Sequence, residues 1–356
     1  MDKNNKNNHP AFGRLALTVL IFFTGLYAIL YEVNEILRYK NGGEVDMVHS
    51  FYKLKKDSLD VLVIGSSHAY YGFQTNQAWE DYGVASYVMG SPSQTMICSY
   101  YLLEEALQYQ KPQVVLLESY YFRSGKVFVQ DSNLRAVTDN MKNLQNKREL
   151  IDLGLPEADW KEKLAYYVPF FKYHSRWKEL DQSDFTQKSF YKGSLVRLKH
   201  KSFRAPEPTD EKKEIPETAL EYFEKIRALC EENDIRLVVF KTPVSNGSGE
   251  NSDWYHNTMG ITNSLSDYLE ERSVPYLKLQ DQVGIDFEND FYDYCHLSFT
   301  GQKKVTAYLM DWLTAQYDLP SHKGDPAYSS YDREYEEFKD YINTQKTSGS
   351  EDRDDV

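Results

Sequence analysis

Two short segments, far apart in the chain, hold residue types that together do chemistry. Val61-Leu62-Val63-Ile64 runs into Gly65-Ser66-Ser67-His68, and Asp293-Tyr294-Cys295-His296 sets a carboxylate and an imidazole three residues apart. A serine hydroxyl is a poor nucleophile alone. It becomes a good one when a histidine within hydrogen-bond reach takes its proton and a carboxylate orients that histidine. A Gly-Ser-Ser turn after a strand is often structural, and D-x-x-H arises by chance. In this order, at opposite ends of one domain, the two segments point to Ser67 as nucleophile, His296 as base and Asp293 as its orienting group.

The elements that must position these residues alternate along the chain. Strand patterns fall at 60–64, 85–89, 113–118, 236–241 and 274–279. Runs such as Val114-Val115-Leu116-Leu117 and Leu237-Val238-Val239-Phe240 are continuously apolar, as in parallel strands buried on both faces. Helix patterns fall at 74–82, 95–109, 216–232 and 261–271, and a last amphipathic helix at 297–313 follows the Asp293/His296 turn, with Ser298 and Thr300 as capping residues. Alternating β and α elements predict an α/β protein with a doubly wound parallel sheet. In such sheets ligands sit beyond the carboxyl ends of the strands.

The order and spacing resemble the SGNH/GDSL hydrolases over about residues 58–315. Gly65-Ser66-Ser67 is similar to the first block of that family, Gly-Asp-Ser, with Ser66 at the middle position, and Asp293 and His296 match the final D-x-x-H block. The resemblance implies a three-layer, flavodoxin-like sheet with the serine as nucleophile, the histidine as base and the aspartate orienting it. It is closer still to membrane-anchored bacterial members of the family, the D-alanyl-lipoteichoic-acid biosynthesis and alginate O-acetylation proteins. These share an N-terminal anchor and act in O-acylation of envelope polymers, often beside a multi-spanning acyltransferase. Two blocks depart from the pattern. Met89-Gly90-Ser91-Pro92-Ser93-Gln94-Thr95 places Ser93 at the glycine of the second block, with Gly90 three residues earlier. The third strand ends Leu117-Glu118-Ser119-Tyr120, without the third-block asparagine. The oxyanion candidates are therefore Ser67, Ser93, Gly90 and Tyr120, with one usual donor missing or replaced. His68 is either a donor or a turn residue, and Glu118 either a site acid or a hydrogen-bonded strand-end carboxylate.

Composition bounds the rest. The 356-residue chain has a formal net charge of -13, which repels nucleic acid. Three cysteines, Cys98, Cys230 and Cys295, make no disulfide framework and no zinc spacing, so neither metal nor cofactor is expected. Cys295 reads as a space-filler. Leu15 to Tyr31 is an uncharged apolar run of bilayer-spanning length behind a head holding Lys3, Lys6 and Arg14. That predicts a single-pass anchor in a bacterial cell membrane, N-terminus in the cytoplasm and catalytic domain outside; a buried core helix or cleaved signal is the alternative. Residues 32–58 form a lead-in, 59–318 the hydrolase-like domain, 319–345 an extension and 346–356 a disordered acidic tail.

An insertion at 124–212 follows the third strand. Its Tyr173, His174, Arg176 and Trp177 are expected to border the Ser67 crevice as a glycan-binding cap, a plain helical embellishment being the alternative. The activity expected is that of a serine esterase or O-acyltransferase on acyl, chiefly acetyl, esters of envelope polysaccharide, with an acylated glycan or acyl donor and a multi-spanning O-acyltransferase as partners. A catalytically weak binding subunit and a phosphate- or nucleotide-binding domain with its anion at the 65–68 turn are the rivals.

Overall fold

The computed structural model describes residues 9–38, 46–186, 192–247 and 252–348. The charged head before residue 9, with Lys3 and Lys6, and the acidic tail beyond Ser348 lie outside the described residues. The chain divides into two compact units, one made of 1–40 and 158–187, the other of 41–157 and 188–356.

The larger unit is built on five parallel strands: β1 (Val61–Gly65), β2 (Ser86–Gly90), β3 (Val114–Glu118), β4 (Arg236–Lys241) and β5 (Tyr276–Lys278). Their order is β2-β1-β3-β4-β5, the doubly wound arrangement whose switch point lies between β1 and β3. The continuous apolar runs are explained by burial on both faces. Val61, Val63, Val114, Leu116, Val238 and Phe240 share one core with Val305, Leu309, Met310 and Leu313 of the helix Phe299–Gln316. Since successive side chains alternate, Leu62, Ile64, Val115 and Leu117 are left for the opposite face. There the helices Met96–Leu107 and Glu217–Glu232 pack on β1, β4 and each other.

The 41–58 part of the lead-in and the extension belong to this unit, while 32–40 goes with the smaller one. The short helix Met47–Phe51 packs on β2, with the Tyr87 hydroxyl donating to the Met47 carbonyl at 2.6 Å. The extension forms a helix, Ser329–Ser348, that the sequence reading left unassigned. Tyr331 packs on Trp79 with ring centroids 4.9 Å apart, and the Trp79 indole donates to Asp332. The helix reaches Ser348, so the expected disordered tail is corrected at its first three residues.

The smaller unit is built on one helix, His9–Leu37, longer than the 15–31 run that marks it. Its Phe12–Leu37 stretch is long and apolar enough to cross a membrane, and its large apolar side chains from Phe12 to Tyr31 are exposed. Against it pack short helical turns from the middle of the chain, Phe170–Tyr173, His174–Lys178 and Ser183–Thr186, preceded by the helix Trp160–Tyr167. The insertion is thus not one body. Its 124–157 and 188–212 parts belong to the larger unit, and its centre to the smaller one.

Candidate active site

β1 ends at the switch point, and the chain turns there at Gly65. A Cβ at Gly65 would stand 2.7 Å from the Cβ of Glu118 on β3, so only glycine lets the two strand ends close. The next two serines part company. Ser66 is buried and caps the short helix Ser67–Tyr70, its Oγ accepting from the His68 backbone N–H at 3.4 Å. Ser67 is only half-buried, at the mouth of the turn.

The second segment reaches Ser67 from a tight loop. Phe291 and Leu297 pair as an antiparallel bridge, and the His296 carbonyl accepts from the Tyr292 N–H at 2.9 Å, closing the loop on itself. Ser298 N-caps the helix Phe299–Gln316 by position, but its hydroxyl donates to the Asn289 carbonyl at 2.8 Å and so ties the helix start to the loop. A Cβ at Gly301 would press to 2.4 Å from the Asp290 carbonyl oxygen, so loop and helix meet at backbone contact. A strap at 197–203 runs across the same loop. The Lys201 and Phe203 N–H groups donate to the Phe291 and Phe287 carbonyls, and the Phe299 N–H donates to the Arg197 carbonyl.

The three chemical groups then meet. His296 Nε2 stands 2.8 Å from Ser67 Oγ, and His296 Nδ1 stands 2.8 Å from Asp293 Oδ2. Asp293 Oδ1 accepts the backbone N–H groups of Cys295 at 2.9 Å and His296 at 2.8 Å, which fixes the carboxylate plane. Burial pushes the Asp293 carboxyl up, but the His296 hydrogen bond and charge with these two N–H groups outweigh it and hold the carboxyl at about 2. The Asp293 carboxyl is therefore a carboxylate throughout the neutral range.

His68 forms the inner wall. Its ring is buried and stacks on Tyr120, with centroids 3.7 Å apart and planes 16° from parallel, and lies 5.0 Å from the His296 ring. Both its ring nitrogens are buried without a hydrogen-bond partner among the described residues. Burial, and after it the electrostatic influence of His296, Lys241 and Arg123, push its pKa well down, so the ring is neutral and carries one N–H.

The other sequence candidates fall as follows. Ser93 takes a left-handed φ of +53°, the conformation glycine adopts freely, so the second block keeps a glycine-like backbone on a serine. Gly90 is a sheet residue in register with Gly65, and a Cβ there would crowd Gly65 O and Tyr70 at 3.0 Å. Tyr120 offers no free N–H, since it donates to Glu118 Oε2 at 2.9 Å. Its hydroxyl accepts from Arg123 at 3.0 Å and Trp254 at 3.3 Å and keeps its own O–H to give, while its ring is a stacking wall for His68. Glu118 is the strand-end carboxylate of the two readings, its other oxygen accepting the Thr242 N–H at 3.4 Å. Burial raises its pKa, against the pull of Lys241 and the two N–H groups.

Of the four cap candidates, the expected role of Arg176 is corrected. Tyr173, His174, Arg176 and Trp177 belong to the smaller unit. The Arg176 fork, expected to grip a sugar, donates to the Leu37 and Arg38 carbonyls at 2.6 and 2.7 Å and pairs with Asp184 at 2.8 Å.

Several neighbours of the site escaped the sequence reading. Lys241 ends β4 as a buried amine, its pKa lowered by burial against the charge of Glu118, 5.3 Å from the Tyr120 ring centre. A charged residue closing an apolar strand run was the available signal. Tyr71 meets the His296 ring edge-on at 5.3 Å, and the Arg197 guanidinium lies 5.1 Å from the Tyr71 ring and 5.0 Å from the Tyr292 ring. No periodicity marks Arg197, because its strap is irregular.

One ligand atom each from His68, Cys295 and His296 lies within 4.8 Å of the others. Two facts weigh against these residues as a resident metal site. The His296 nitrogens face Ser67 and Asp293, and burial followed by the Asp293 charge pushes the Cys295 thiol far up, away from the thiolate a metal needs.

Fold and site together define an α/β protein with a Ser–His–Asp constellation at the carboxyl ends of its strands. A protein-family model matches residues 187–318, the stretch that holds the strap, Asp293 and His296. No curated protein matches the chain. Three solved structures are similar to parts of it. A putative acylhydrolase from Bacteroides fragilis is 10% identical with a TM-score of 0.39, covering 76% of this chain and 94% of its own. A putative lipolytic protein of the G-D-S-L family from Desulfitobacterium hafniense is 13% identical with a TM-score of 0.37, covering 71% and 99%. A GDSL-like lipase from Bacteroides thetaiotaomicron is 9% identical with a TM-score of 0.39, covering 76% and 96%.

Proposed function

We propose that the chain is a membrane-anchored serine esterase or O-acyltransferase of SGNH/GDSL type, acting outside the cytoplasm on acyl esters of cell-envelope polysaccharide. The observation that carries the chemistry is the continuous hydrogen-bonded run from Ser67 Oγ through His296 to Asp293, with both contacts at 2.8 Å. As Ser67 Oγ attacks the ester carbonyl carbon, its proton passes to His296 Nε2. Asp293 holds the imidazolium that forms. His296 then returns the proton to the departing alkoxide, leaving an acyl group on Ser67. Water then attacks the acyl carbon, its proton going to His296 and on to the departing Ser67 Oγ as the acyl bond breaks, which completes hydrolysis; a glycan hydroxyl in place of water completes transfer.

The oxyanion needs donors. The candidates are the Ser67 backbone N–H, the Ser93 backbone N–H held in its glycine-like turn, and the neutral His68 ring, which has a donor to give and no partner to spend it on. Support for the extracytoplasmic placement is the apolar helix with Arg14 before it. The acetyl group, the glycan and a multi-spanning O-acyltransferase partner rest on the family resemblance.

A second reading, a binding subunit with little turnover, is favoured by one observation. At the third block Ser119 bonds the Tyr276 hydroxyl at 3.0 Å and no side-chain amide stands there. Labelling with a fluorophosphonate decides between them. The enzyme reading expects covalent labelling of wild type that Ser67→Ala abolishes; an unlabelled wild type that turns over no small acetyl ester overturns it.

A further inference from the structure

The smaller unit carries an aromatic surface that the reaction does not use. Outside the apolar helix, every exposed tryptophan and phenylalanine among the described residues lies between 160 and 185. Trp160 is 69% exposed, Phe171 55%, Trp177 65% and Phe185 63%. Soluble surfaces do not concentrate large aromatics in this way without a partner. Two of them have a lysine ammonium over the ring, Lys161 at 5.7 Å on Trp160 and Lys178 at 5.6 Å on Trp177. An aromatic ring beside a long cationic stem is the pairing found where an apolar phase meets water.

The position of this surface along the apolar helix is fixed within the same unit. Arg176 grips the Leu37 and Arg38 carbonyls, at the end of the helix where Glu32, Glu35 and Arg38 bring charge. The uncharged run Leu15–Tyr31 has a rise of about 26 Å, close to a hydrocarbon core of about 30 Å. Leu37 is six residues beyond Tyr31, about 9 Å further along the axis. A headgroup layer is about 5–8 Å thick on each side. The grip therefore falls at the membrane surface. Residues 158–187 hold five Lys/Arg (161, 163, 172, 176, 178) and five Asp/Glu (159, 162, 179, 181, 184), so the segment is neutral in a chain of -13. Nothing in it repels an anionic leaflet, and its attachment is aromatic rather than electrostatic.

We propose that residues 158–187 form an interfacial platform, clamped to the end of the membrane helix by Arg176, whose Trp160, Phe171, Trp177 and Phe185 insert at the lipid headgroup level. This rests on the reading of the helix as a membrane anchor. The platform gives the anchor a rigid collar in place of a free stalk, and so constrains the chain where it leaves the bilayer.

The five tryptophans are Trp79, Trp160, Trp177, Trp254 and Trp312, and none lies in the apolar helix, so tryptophan quenching reports the platform without interference from the span. Full-length protein is placed in 3:1 phosphatidylcholine:phosphatidylglycerol vesicles that contain phosphatidylcholine brominated either near the headgroup or deep in the acyl chain. Retention after alkaline carbonate is measured in parallel. The expected result is carbonate resistance, with shallow bromines quenching more than deep ones. Most of that quenching should disappear in the Trp160→Phe/Trp177→Phe double variant and persist at 1 M salt. Protein stripped by carbonate overturns the anchor, and the platform with it. Protein retained by carbonate, with quenching unchanged in the double variant, overturns the platform and leaves the anchor standing.

Discussion

His68 and Tyr120 stack face to face beside the Ser67–His296 pair, with ring centroids 3.7 Å apart, and the His68 nitrogens have no hydrogen-bond partner among the described residues. A buried polar group left unpaired costs about 1–3 kcal/mol, so one placed against a catalytic histidine calls for an occupant. The charge of an ester oxyanion is the occupant that fits a neutral N–H donor. His68→Phe keeps the stack and removes the donor. It should lower kcat toward a small acetyl ester by about 10²–10³ with little change in KM. His68→Gln, which restores an N–H, should recover part of the loss. Equal rates for His68→Phe and wild type, measured under saturation, would assign His68 to packing alone.

Ser66 and Ser67 are adjacent, but only one faces the base. Ser67→Ala should abolish phosphonate labelling and ester turnover. Ser66→Ala removes a 3.4 Å cap contact of a four-residue helix, and should leave the label in place at a stability cost of about 0.5–1 kcal/mol. Peptide mapping of the labelled protein checks the assignment; a label on Ser66 would invert it.

How much of this was legible beforehand follows from what each signal measures. The ends of all five strands fall within two residues of the expected ones; β1 and β3 announce themselves because strands buried on both faces are continuously apolar, whereas the edge strand β5 buries only Leu277. The helix expected from 261 instead starts at Ser252. Gly260 lies inside this helix, at a close approach. A Cβ there would meet the Lys213 side chain at 2.4 Å, and the Lys213 N–H donates to the Gly260 carbonyl. That Ser67, Asp293 and His296 meet was legible because an activated hydroxyl needs those residue types. The strap with Arg197 was not, because its backbone donors go to loop carbonyls and leave no periodic trace. Arg176 was misassigned for a related reason. A forked donor has the same sequence signature whether it holds a sugar or the end of a helix.

Acid should destabilise the fold in two stages. The buried His68 ring stays neutral where an unfolded histidine takes up a proton, below about pH 6.5. The unfolded state then binds more protons, so stability falls as pH drops below that value. Asp293 adds a lower stage. Its carboxyl lies at about 2 in the fold against about 3.9 unfolded, so its contribution is intact above pH 4 and is lost as pH falls toward 2. With Asp293 partly exposed, that stage is worth about 1–2 kcal/mol. Urea midpoints taken from pH 7.5 to 5 should slope downward in wild type and flatten in His68→Gln. A slope that survives the substitution would trace it to another group.

Ser93 holds a backbone conformation that costs a serine about 1 kcal/mol more than a glycine. Ser93→Gly relieves that cost while adding unfolded-state entropy of similar size. The variant should therefore keep its midpoint and its activity, since the N–H is retained. Its Tyr121 phenol, which the Ser93 hydroxyl helps to hold, should show an upward-shifted titration. Loss of activity in Ser93→Gly with an unchanged midpoint would mean that the hydroxyl, not the backbone N–H, does the work.

Asp293→Asn tests the orienting carboxylate without emptying its site. The asparagine oxygen can still accept the Cys295 and His296 N–H groups now held at 2.9 and 2.8 Å, so the loop should keep its shape. The amide NH₂ then faces His296 Nδ1, where Asp293 Oδ2 stood at 2.8 Å. An N–H opposite Nδ1 makes that nitrogen the acceptor and moves the ring proton to Nε2. Nε2 can then no longer accept from Ser67 Oγ, and the proton path closes. The expected loss is about 10⁴ in kcat, with the urea midpoint at neutral pH lowered by no more than the ~1–2 kcal/mol that the charged carboxylate contributes. Phosphonate labelling should slow by a similar factor, because it too requires an activated Ser67. If the variant instead turns over ester within tenfold of wild type, His296 works without its carboxylate and the Ser–His–Asp assignment fails at its third member.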